Sequence, residues 1–318
     1  MEAKDVKNVT VLGAGMIAPG VAQIFAAKPD YHVCIYARRQ EALPQALDKI
    51  RSSMINMANR GVGSEADVEP AMSRIKTTTD FAAAVSDADM VIECIAEKLE
   101  LKQKFFQDLD RLCRPDAILA TNTSVISVSE IAANAKKRDR VLGTHFWNPP
   151  FLIPLVEVVK GNDTSLETVD TTYKVMQNAG KHPVKVLKDV PGFLANRLQH
   201  ALWREAISIV ENGIADAATV DEAVKHGFGL RLSVLGPMET ADMAGLDLTL
   251  AIHDYIFKYL ESSTKPSPIL QEKVSKGELG FKTGAGFQEW DTQRIDEARK
   301  RLTDHLIEWT KKNKDNKH

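Results

Sequence analysis

Residues 1–190 alternate between short apolar runs and longer segments in which apolar residues recur every three or four positions. Short apolar runs are typical of buried parallel strands, whereas the longer period is typical of amphipathic helices. Because the two alternate regularly, the pattern predicts an α/β fold with a doubly wound (Rossmann) parallel sheet. The predicted strands are 8–12, 32–37, 74–77, 89–95, 117–121, 140–145, 153–159 and 183–187.

The pattern becomes wholly helical after the segment KDVPGF. Asp189 can cap the helix that follows, and Pro191 suits the first turn of that helix. We therefore predict two domains, an α/β domain over 1–189 and an all-helical domain over 190–318, whose several apolar faces favour dimerisation. In the first domain, 40–60 is a predicted long helix and 61–70 a polar loop. Further predicted helices are 193–212, 217–227, 247–262 and 295–310, followed by a frayed tail, KKNKDNKH.

Composition narrows the class of partner. The formal net charge is −2, and 44% of residues are hydrophobic, so neither nucleic acid nor an anionic membrane is the expected partner. No apolar run approaches the roughly 18 residues that span a bilayer, and the charged N-terminus does not resemble a signal peptide. Three separate cysteines predict buried reduced thiols, and no histidine spacing predicts a metal site. We expect a cytoplasmic enzyme that acts on a small molecule.

The segment GAGMIAPG follows the first predicted strand and opens a helix. Gly13 permits a tight turn between strand and helix, and Gly15 removes a side chain where a pyrophosphate approaches the backbone. Ala18 stands at the third, small position of the motif. The N-terminus of the following helix favours negative charge. In this context the motif indicates a dinucleotide cofactor. We therefore predict that 1–189 is the dinucleotide-binding domain and that 190–318 is the substrate and dimerisation domain.

The second predicted strand ends without the acidic residue that binds the ribose 2′-hydroxyl of NAD. Ala37 stands there, followed by Arg38 and Arg39. Guanidinium groups match phosphate geometry, so NADP(H) is favoured and NAD(H) is the alternative cofactor. The competing interpretation is that both arginines form the solvated start of a helix.

His145 and Glu157 lie in apolar runs on either side of the turn signal Asn148-Pro149-Pro150. If the chain doubles back near residue 151, the two side chains fall opposite each other. A carboxylate on one imidazole nitrogen leaves the other free to exchange a proton with substrate. The competing interpretation is a structural histidine. Ser124 follows another predicted strand, and its role is open between ligand binding and helix capping.

The chain resembles the 3-hydroxyacyl-CoA dehydrogenase family along nearly its whole length. The shared motifs are GAGMIAPG, ECIAEKLELK, TNTS, HFWNP, LVEV, DVPGFLANR, GPMETADMAGLD and KTGAGF. The resemblance implies hydride transfer between a 3-hydroxyl carbon and the nicotinamide of NAD(P), and it implies a homodimer. It places the catalytic pair on His145 and Glu157, and substrate contacts on Ser124 and Asn196. The cofactor contacts that it implies are Glu97, Lys102, Asn148 and Lys282.

Two segments depart from the fatty-acyl form of the family. GFGLRLSVLGP is longer than usual, and HFWNPPFLIPLVEV is more similar to relatives acting on small free acids. Those relatives are L-gulonate, L-carnitine and pyridine-carboxylate dehydrogenases. Arg231 could hold a substrate carboxylate bidentately, or it could be an exposed loop residue. Three functions therefore stay open: a 3-hydroxyacyl dehydrogenase, a dehydrogenase of a small free acid or a pyridine-carboxylate aldehyde, and an idle cofactor-binding protein. The combined presence of Ser124, His145, Glu157 and Asn196 disfavours the third.

Overall fold

A computed structural model describes residues 1–315. The chain divides into two compact units. The sheet unit comprises Met1–Asn196 and the chain from Thr303 onward, and the helical unit comprises Arg197–Leu302. Two long helices, α8 and α14 below, each contribute residues to both units.

The sheet unit is built on eight strands in the order β3-β2-β1-β4-β5-β6-β7-β8. All neighbouring strands are parallel except β6 and β7, which pair antiparallel. The predicted doubly wound α/β fold is confirmed. The strands are β1 Asn8–Leu12, β2 His32–Tyr36, β3 Ile75–Thr78, β4 Met90–Glu93, β5 Ile118–Thr121, β6 Val141–Phe146, β7 Leu155–Lys160 and β8 His182–Val186.

Helices cover both faces of this sheet, which is why its central strands are buried throughout. Every residue of β4, β5 and β6 is buried. One core lies between the sheet and α1, α2 and α7, and a second lies between the other face and α4, α5 and α6. The helices of this part of the chain are α1 Ala18–Ala26, α2 Ala42–Asn59, α3 Val68–Ser73, α4 Phe81–Val85, α5 Leu99–Leu112, α6 Val128–Ile131 and α7 Leu166–Asn178.

The order of the strands reverses direction between β1 and β4, which are neighbours in the sheet. In doubly wound sheets, ligands bind at the carboxyl ends of the strands beside such a reversal. The glycine-rich segment follows β1, and the segment beginning at Cys94 follows β4. The fold therefore places a ligand cleft at this edge.

The helical unit buries very little apolar surface within the single chain. None of the residues of α9–α13 is buried. On α12 alone, Leu248 is 52% exposed, Leu250 62% and Tyr255 66%. The helices from here to the end are α8 Ala195–Glu211, α9 Ala217–His226, α10 Gly229–Leu232, α11 Pro237–Ala244, α12 Leu246–Ile256, α13 Pro268–Ser275 and α14 Thr292–Asp315.

Several boundaries differ from the sequence-based expectations. Residues 61–70, predicted as a loop, contain a 3-10 helix capped by Ser64 and the start of α3. Pro70 lies near the start of α3, where proline is tolerated because no intrahelical donor is lost. Helices α10, α11 and α13 were not predicted. Helix α14 continues to Asp315, into the predicted frayed tail, and residues 316–318 lie outside the described part.

All three cysteines are free thiols. The prediction of burial holds for Cys113, whereas Cys34 and Cys94 are half-buried. Burial raises the pKa of Cys113 to about 12, so that thiol stays protonated near neutral pH. Within residues 1–315, no cluster of His, Cys, Asp or Glu side chains could hold a metal ion, and none of the helices has the length and hydropathy of a membrane span.

Candidate functional site

His145 and Glu157 are direct partners across the antiparallel pair β6 and β7. Nδ1 of His145 lies 2.7 Å from Oε2 of Glu157. The side chain of Glu157 is fully buried and that of His145 is 6% exposed. An ionised carboxylate only accepts hydrogen bonds, so Nδ1 of His145 carries the proton and donates it. Nε2 of the neutral ring is then the nitrogen that can accept a proton from a ligand.

The second oxygen of Glu157 is held by the start of helix α8. Oε1 accepts hydrogen bonds from the backbone N–H groups of Leu194 at 2.9 Å and Ala195 at 3.0 Å. Burial acts to raise the pKa of Glu157, but the bonds from His145 and from these two N–H groups outweigh it and lower the pKa. The carboxylate therefore stays charged, as a partner that can stabilise an imidazolium must.

Phe193 occupies a sparsely populated backbone conformation just before these two N–H groups. Its φ is +51°, and its side chain is 1% exposed. A residue other than glycine in this region costs on the order of 1–3 kcal/mol and persists only where surrounding contacts compensate. The bend at Phe193 delivers the start of α8 to Glu157, which supplies that compensation.

Two aromatic rings surround His145. The ring centroid of Trp147 lies 5.4 Å from that of His145, and the centroid of Phe193 lies 5.9 Å away. Both rings are tilted against the imidazole. Apolar walls of this kind reduce solvation of the imidazole and strengthen its hydrogen bond to Glu157.

Ser124 and Asn196 meet beside the end of β5. Nδ2 of Asn196 donates to the backbone carbonyl of Ser124 at 2.9 Å. Ser124 is exposed, and its hydroxyl has no hydrogen-bond partner among residues 1–315. Helix α6 is capped by the hydroxyl of Ser127, which accepts from the N–H of Glu130. The helix-capping interpretation of Ser124 is therefore wrong, and its hydroxyl is available to a ligand.

Glu97 holds the turn on which Ser124 lies. One carboxylate oxygen accepts from the hydroxyl of Thr123 and from the N–H of Ser124 at 3.0 Å. Its other oxygen lies 3.3 Å from Nζ of Lys102. Burial acts to raise the pKa of Glu97, but the bonds from Thr123, Lys102 and Ser124 lower it. Glu97 therefore fixes the conformation of the Ser124 turn, in addition to any contact with a cofactor.

Lys102 is buried, with a side chain 1% exposed. Its Nζ lies 2.7 and 2.9 Å from the two oxygens of Glu93. The hydroxyl of Thr121 donates to the same carboxylate at 2.7 Å. Together with the oxygen of Glu97, three carboxylate oxygens surround this ammonium group. Since an ammonium group has three N–H donors, each donor has an acceptor in the protein. In this arrangement the Lys102 ammonium group bonds carboxylates of the protein, and its role as a cofactor contact stays a prediction. Sequence reasoning missed Glu93, although an acid in the apolar run DMVIECI requires a partner.

Asp189 does not cap the helix that follows it, as the sequence predicted. Its carboxylate accepts from the hydroxyl of Ser127 at 2.7 Å and from the N–H groups of Val128 and Ser129 at 3.2 and 2.7 Å. These groups form the start of α6. Negative charge is favourable at the N-terminus of any helix, and the nearest N-terminus in space is that of α6.

A cleft of about 720 Å³ opens at the carboxyl ends of β1, β2 and β4. A Cβ on Gly13, whose φ is +120°, would lie 2.7 Å from the carbonyl oxygen of Cys94, so only glycine fits. A Cβ on Gly15 would meet no protein atom within 4 Å and would project into open space. Ala18, fully buried, is the first residue of α1. The shape and the helix start fit a dinucleotide pyrophosphate.

Arg38 and Arg39 line the same cleft, just beyond β2. Both side chains are exposed, and within residues 1–315 neither has a carboxylate or carbonyl partner. They place two positive charges at this end of the cleft, beside the glycine turn.

The remaining predicted residues lie in different places. Asn148 is exposed in the turn after β6, and its Nδ2 lies 3.9 Å from Sδ of Met16 in the glycine-rich segment. Arg231, on α10, and Lys282 belong to the helical unit, and both are exposed. Their roles in binding carboxylate and cofactor stay predictions.

Two protein-family profiles match the chain. The 3-hydroxyacyl-CoA dehydrogenase NAD-binding domain matches residues 8–190, and the C-terminal domain of the same enzymes matches residues 192–290. Among curated proteins, a 5-formyl-3-hydroxy-2-methylpyridine 4-carboxylate 5-dehydrogenase of Mesorhizobium japonicum is 34% identical over 284 residues, covering 89% of this chain and 90% of that protein.

Two solved structures show how the similarity extends to three dimensions. The crystal structure of a 5-formyl-3-hydroxy-2-methylpyridine 4-carboxylic acid 5-dehydrogenase, described as an NAD⁺-dependent dismutase, aligns with a TM-score of 0.86. It is 30% identical, and the alignment covers 96% of this chain and 97% of that one. (S)-3-hydroxybutyryl-CoA dehydrogenase of Ralstonia eutropha, also 30% identical, aligns with a TM-score of 0.75, covering 91% of this chain and 100% of that one.

Proposed function

Because this chain belongs to the 3-hydroxyacyl-CoA dehydrogenase family, and so is an oxidoreductase that acts on CH–OH groups, we propose that His145 is its proton acceptor. The observation that carries the proposal is the 2.7 Å bond from Nδ1 of His145 to buried Glu157. This bond directs Nε2 toward substrate as the basic nitrogen. In the oxidative direction, Nε2 takes the proton of the substrate hydroxyl as a hydride leaves the carbon that bears this hydroxyl.

Glu157 makes this transfer favourable by remaining ionised. As the imidazole becomes an imidazolium, its positive charge faces a carboxylate whose second oxygen is held by Leu194 and Ala195. Since these groups are already in place, little reorganisation accompanies the proton transfer. Positioned acid–base catalysis of this kind contributes roughly 100- to 10,000-fold in rate.

We assign Ser124 and Asn196 to the reacting oxygen of the substrate. The Ser124 hydroxyl is exposed and has no partner among the described residues, and the Asn196 amide is anchored to the Ser124 carbonyl. A hydroxyl and an amide N–H can stabilise the alkoxide character that develops on that oxygen. Glu97 accepts a hydrogen bond from the N–H of Ser124, and this bond holds Ser124 and its partner Asn196 in place.

The dinucleotide is proposed to bind in the cleft lined by Gly13, Gly15, Arg38 and Arg39. When bound, it supplies the hydride acceptor of the oxidation. The start of α1 takes the pyrophosphate, and Glu97, Asn148 and Lys282 are the further proposed contacts. Lys102 acts on the cofactor through Glu97, because its ammonium group already bonds Glu93 and Glu97.

For the cofactor we favour NADP(H) over NAD(H). The acid that usually holds the ribose 2′-hydroxyl is replaced by Ala37, and the unpaired guanidinium groups of Arg38 and Arg39 line the cleft there. A 2′-phosphate would bind both through charge-assisted hydrogen bonds. The similar pyridine-carboxylate enzyme is described as NAD⁺-dependent, which makes NAD(H) the alternative to test.

A second candidate for the substrate is a small free acid, such as a pyridine carboxylate bearing an alcohol or aldehyde. The observation that favours it is the structural similarity to the pyridine-carboxylate dehydrogenase, whose TM-score is 0.86. The (S)-3-hydroxybutyryl-CoA dehydrogenase, which is also 30% identical, has a TM-score of 0.75. Trp147 beside the catalytic histidine offers an aromatic wall for such a ring. On this candidate, Arg231 is proposed to take the carboxylate. The first candidate is a 3-hydroxyacyl-CoA.

We also propose that the protein is a cytoplasmic homodimer. Three free thiols suit a reducing compartment. The helical unit leaves many large apolar side chains exposed, which a second copy would cover.

The central experiment compares the wild type with His145→Gln, using 3-hydroxyacyl-CoA esters and pyridine-carboxylate alcohols and aldehydes, each with NAD(H) and NADP(H). Glutamine keeps size and hydrogen bonding but cannot accept the proton. We expect turnover to fall at least 100-fold while the Kd for cofactor changes little. Near-wild-type kcat in the variant would refute the assignment of His145. The substrate with the highest wild-type kcat/KM decides between the two candidates.

A further inference from the structure

A half-buried lysine bonds the turn that joins β6 to β7. Lys181 lies directly before β8, and its Nζ donates to the carbonyl oxygens of Pro150 and Ile153, each at 2.6 Å. The next residue, His182, donates its N–H to the carbonyl of Pro154. The turn over 148–153 is therefore bonded along one side to the beginning of β8. It lies between the strand that carries His145 and the strand that carries Glu157.

The opposite side of the turn contacts the cofactor cradle. A Cβ on Gly20, in helix α1, would lie 2.8 Å from Cδ of Pro150, so the proline ring rests directly on the helix backbone. At the beginning of the turn, the amide of Asn148 reaches the sulfur of Met16 in the glycine-rich segment. The turn between β6 and β7 therefore contacts both helix α1 and the glycine-rich segment, which are proposed to bind the pyrophosphate.

The surroundings of Lys181 are unusual for a lysine. Among residues 1–315 no carboxylate contacts its ammonium group, and both of its partners are neutral carbonyls. Burial lowers its pKa to about 8. Removing a cation from water without a counter-ion costs free energy, and a lysine that extends into solvent does not incur this cost. The Lys181 side chain instead turns inward and bonds two carbonyl groups of a single turn.

We propose that Lys181 is a positioning residue, which holds the turn against α1 and so sets the distance between the bound nicotinamide and His145. This role rests on the proposed function of His145 and of the cleft. Lys181 touches neither substrate nor reacting atoms. It acts through Pro150, whose ring contacts the cofactor helix and whose carbonyl it binds.

The expected effect is on the chemical step. Hydride transfer requires the donor carbon and the acceptor ring within about 3–3.5 Å and aligned, and a displacement of 1 Å from a remote change can cost about 100-fold in rate. A turn released from Lys181 would let α1 and the hairpin move relative to each other. The pyrophosphate end of the cofactor would still be bound by the glycine turn.

The test compares Lys181→Met with the matched control Lys185→Met. Lys185 lies on β8, four residues further, where its Nζ pairs with Asp170 at 2.6 Å and its side chain is 38% exposed. For each enzyme, kcat, KM for cofactor and the primary deuterium isotope effect on kcat are measured, with hydride-deuterated reduced cofactor in the reductive direction. We expect kcat of Lys181→Met to fall about 10- to 100-fold, with a larger isotope effect. The control should stay within about two-fold of wild type.

A second variant perturbs the same contact from the other side. Gly20→Ala places a methyl group against Pro150 and should also lower kcat and raise the isotope effect. If Lys181→Met does not fold, Gly20→Ala alone decides, and a wild-type kcat with a wild-type isotope effect there overturns the proposal. A folded Lys181→Met with a lower Tm but unchanged kcat and isotope effect would show a purely structural lysine, which also overturns it.

The result can be separated from failure of the proposed function. If His145→Gln retains turnover, or the wild type has none with any of the substrates, the proposed function fails and the role of Lys181 fails with it. If His145→Gln is inactive but Lys181→Met resembles the wild type, only the positioning role is wrong.

Discussion

His145 and Glu157 share one hydrogen bond of 2.7 Å across an antiparallel strand pair, and neither side chain is substantially exposed. The carboxylate uses one oxygen for the imidazole and the other for the start of α8. One residue therefore fixes the tautomer of the histidine and also anchors the helix that carries Asn196. The proposed acid–base centre and the amide proposed to bind substrate are therefore positioned by the same buried charge.

Replacing Glu157 by glutamine should disable catalysis while keeping the shape of the site. The amide can still accept from Leu194 and Ala195, but its N–H₂ would face Nδ1 of His145 and force the proton onto Nε2. We expect kcat to fall by about 100- to 10,000-fold, with little change in cofactor affinity. Steady-state kinetics and calorimetric titration of cofactor measure the two effects. Equal losses in kcat and cofactor binding would instead indicate a collapsed site.

Removing Arg38 and Arg39 together should change cofactor choice. In the double alanine variant, we expect kcat/KM with NADPH to fall about 10- to 100-fold, because two charge-assisted bonds to the 2′-phosphate are lost. The value with NADH should change by less than about three-fold. Arg111→Ala is the matched control, since this arginine lies on α5 and pairs with Asp108. Wild-type kcat/KM with NADH equal to or above that with NADPH would contradict the preference.

Lys181 should make stability depend on alkaline pH. Its pKa is about 8 in the folded protein, below the ordinary 10.5, so the unfolded chain binds more protons between these values. The free energy of unfolding should therefore gain a contribution as pH rises from 8 to 10.5, on the order of 1–2 kcal/mol after allowance for partial solvation. Urea unfolding at several pH values measures it. The difference in the free energy of unfolding between wild type and Lys181→Met separates the contribution of Lys181 from those of other titrating groups. A difference that does not change with pH would contradict this prediction.

The helical unit should mediate dimerisation. Sedimentation equilibrium should give twice the chain mass of 35.1 kDa for the wild type. Leu250→Glu, on α12, should shift the protein toward monomer, because a charge cannot be buried unpaired in an apolar interface. Leu166→Glu is the control, since Leu166 is equally exposed, at 62%, but lies on α7 of the sheet unit. A monomeric wild type, or a dimer unaffected by Leu250→Glu, would refute this interface.

Local pattern was sufficient for most of the sheet unit. Buried parallel strands and amphipathic helices differ in the spacing of their apolar residues, so the alternation along the chain identified all eight strands. The turn signal at Asn148-Pro149-Pro150 located the hairpin, and the two-residue period of strands then put His145 opposite Glu157. The spacing of the glycines predicted the position of the cleft. This was possible because the requirement for glycine at position 13 comes from a local backbone angle.

Local pattern was enough to predict the strands, the hairpin and the pairing of His145 with Glu157, because each depends on residues close together in the chain or on strand period. The partners of the other charged groups follow instead from the three-dimensional packing. Lys102 is enclosed by Glu93, Asp189 caps α6, and Lys181 binds the turn over 148–153. These partners come together through packing of distant segments, and a buried charge takes whichever partner the packed fold brings within hydrogen-bond distance. For Lys181, that partner is the backbone of the turn between β6 and β7.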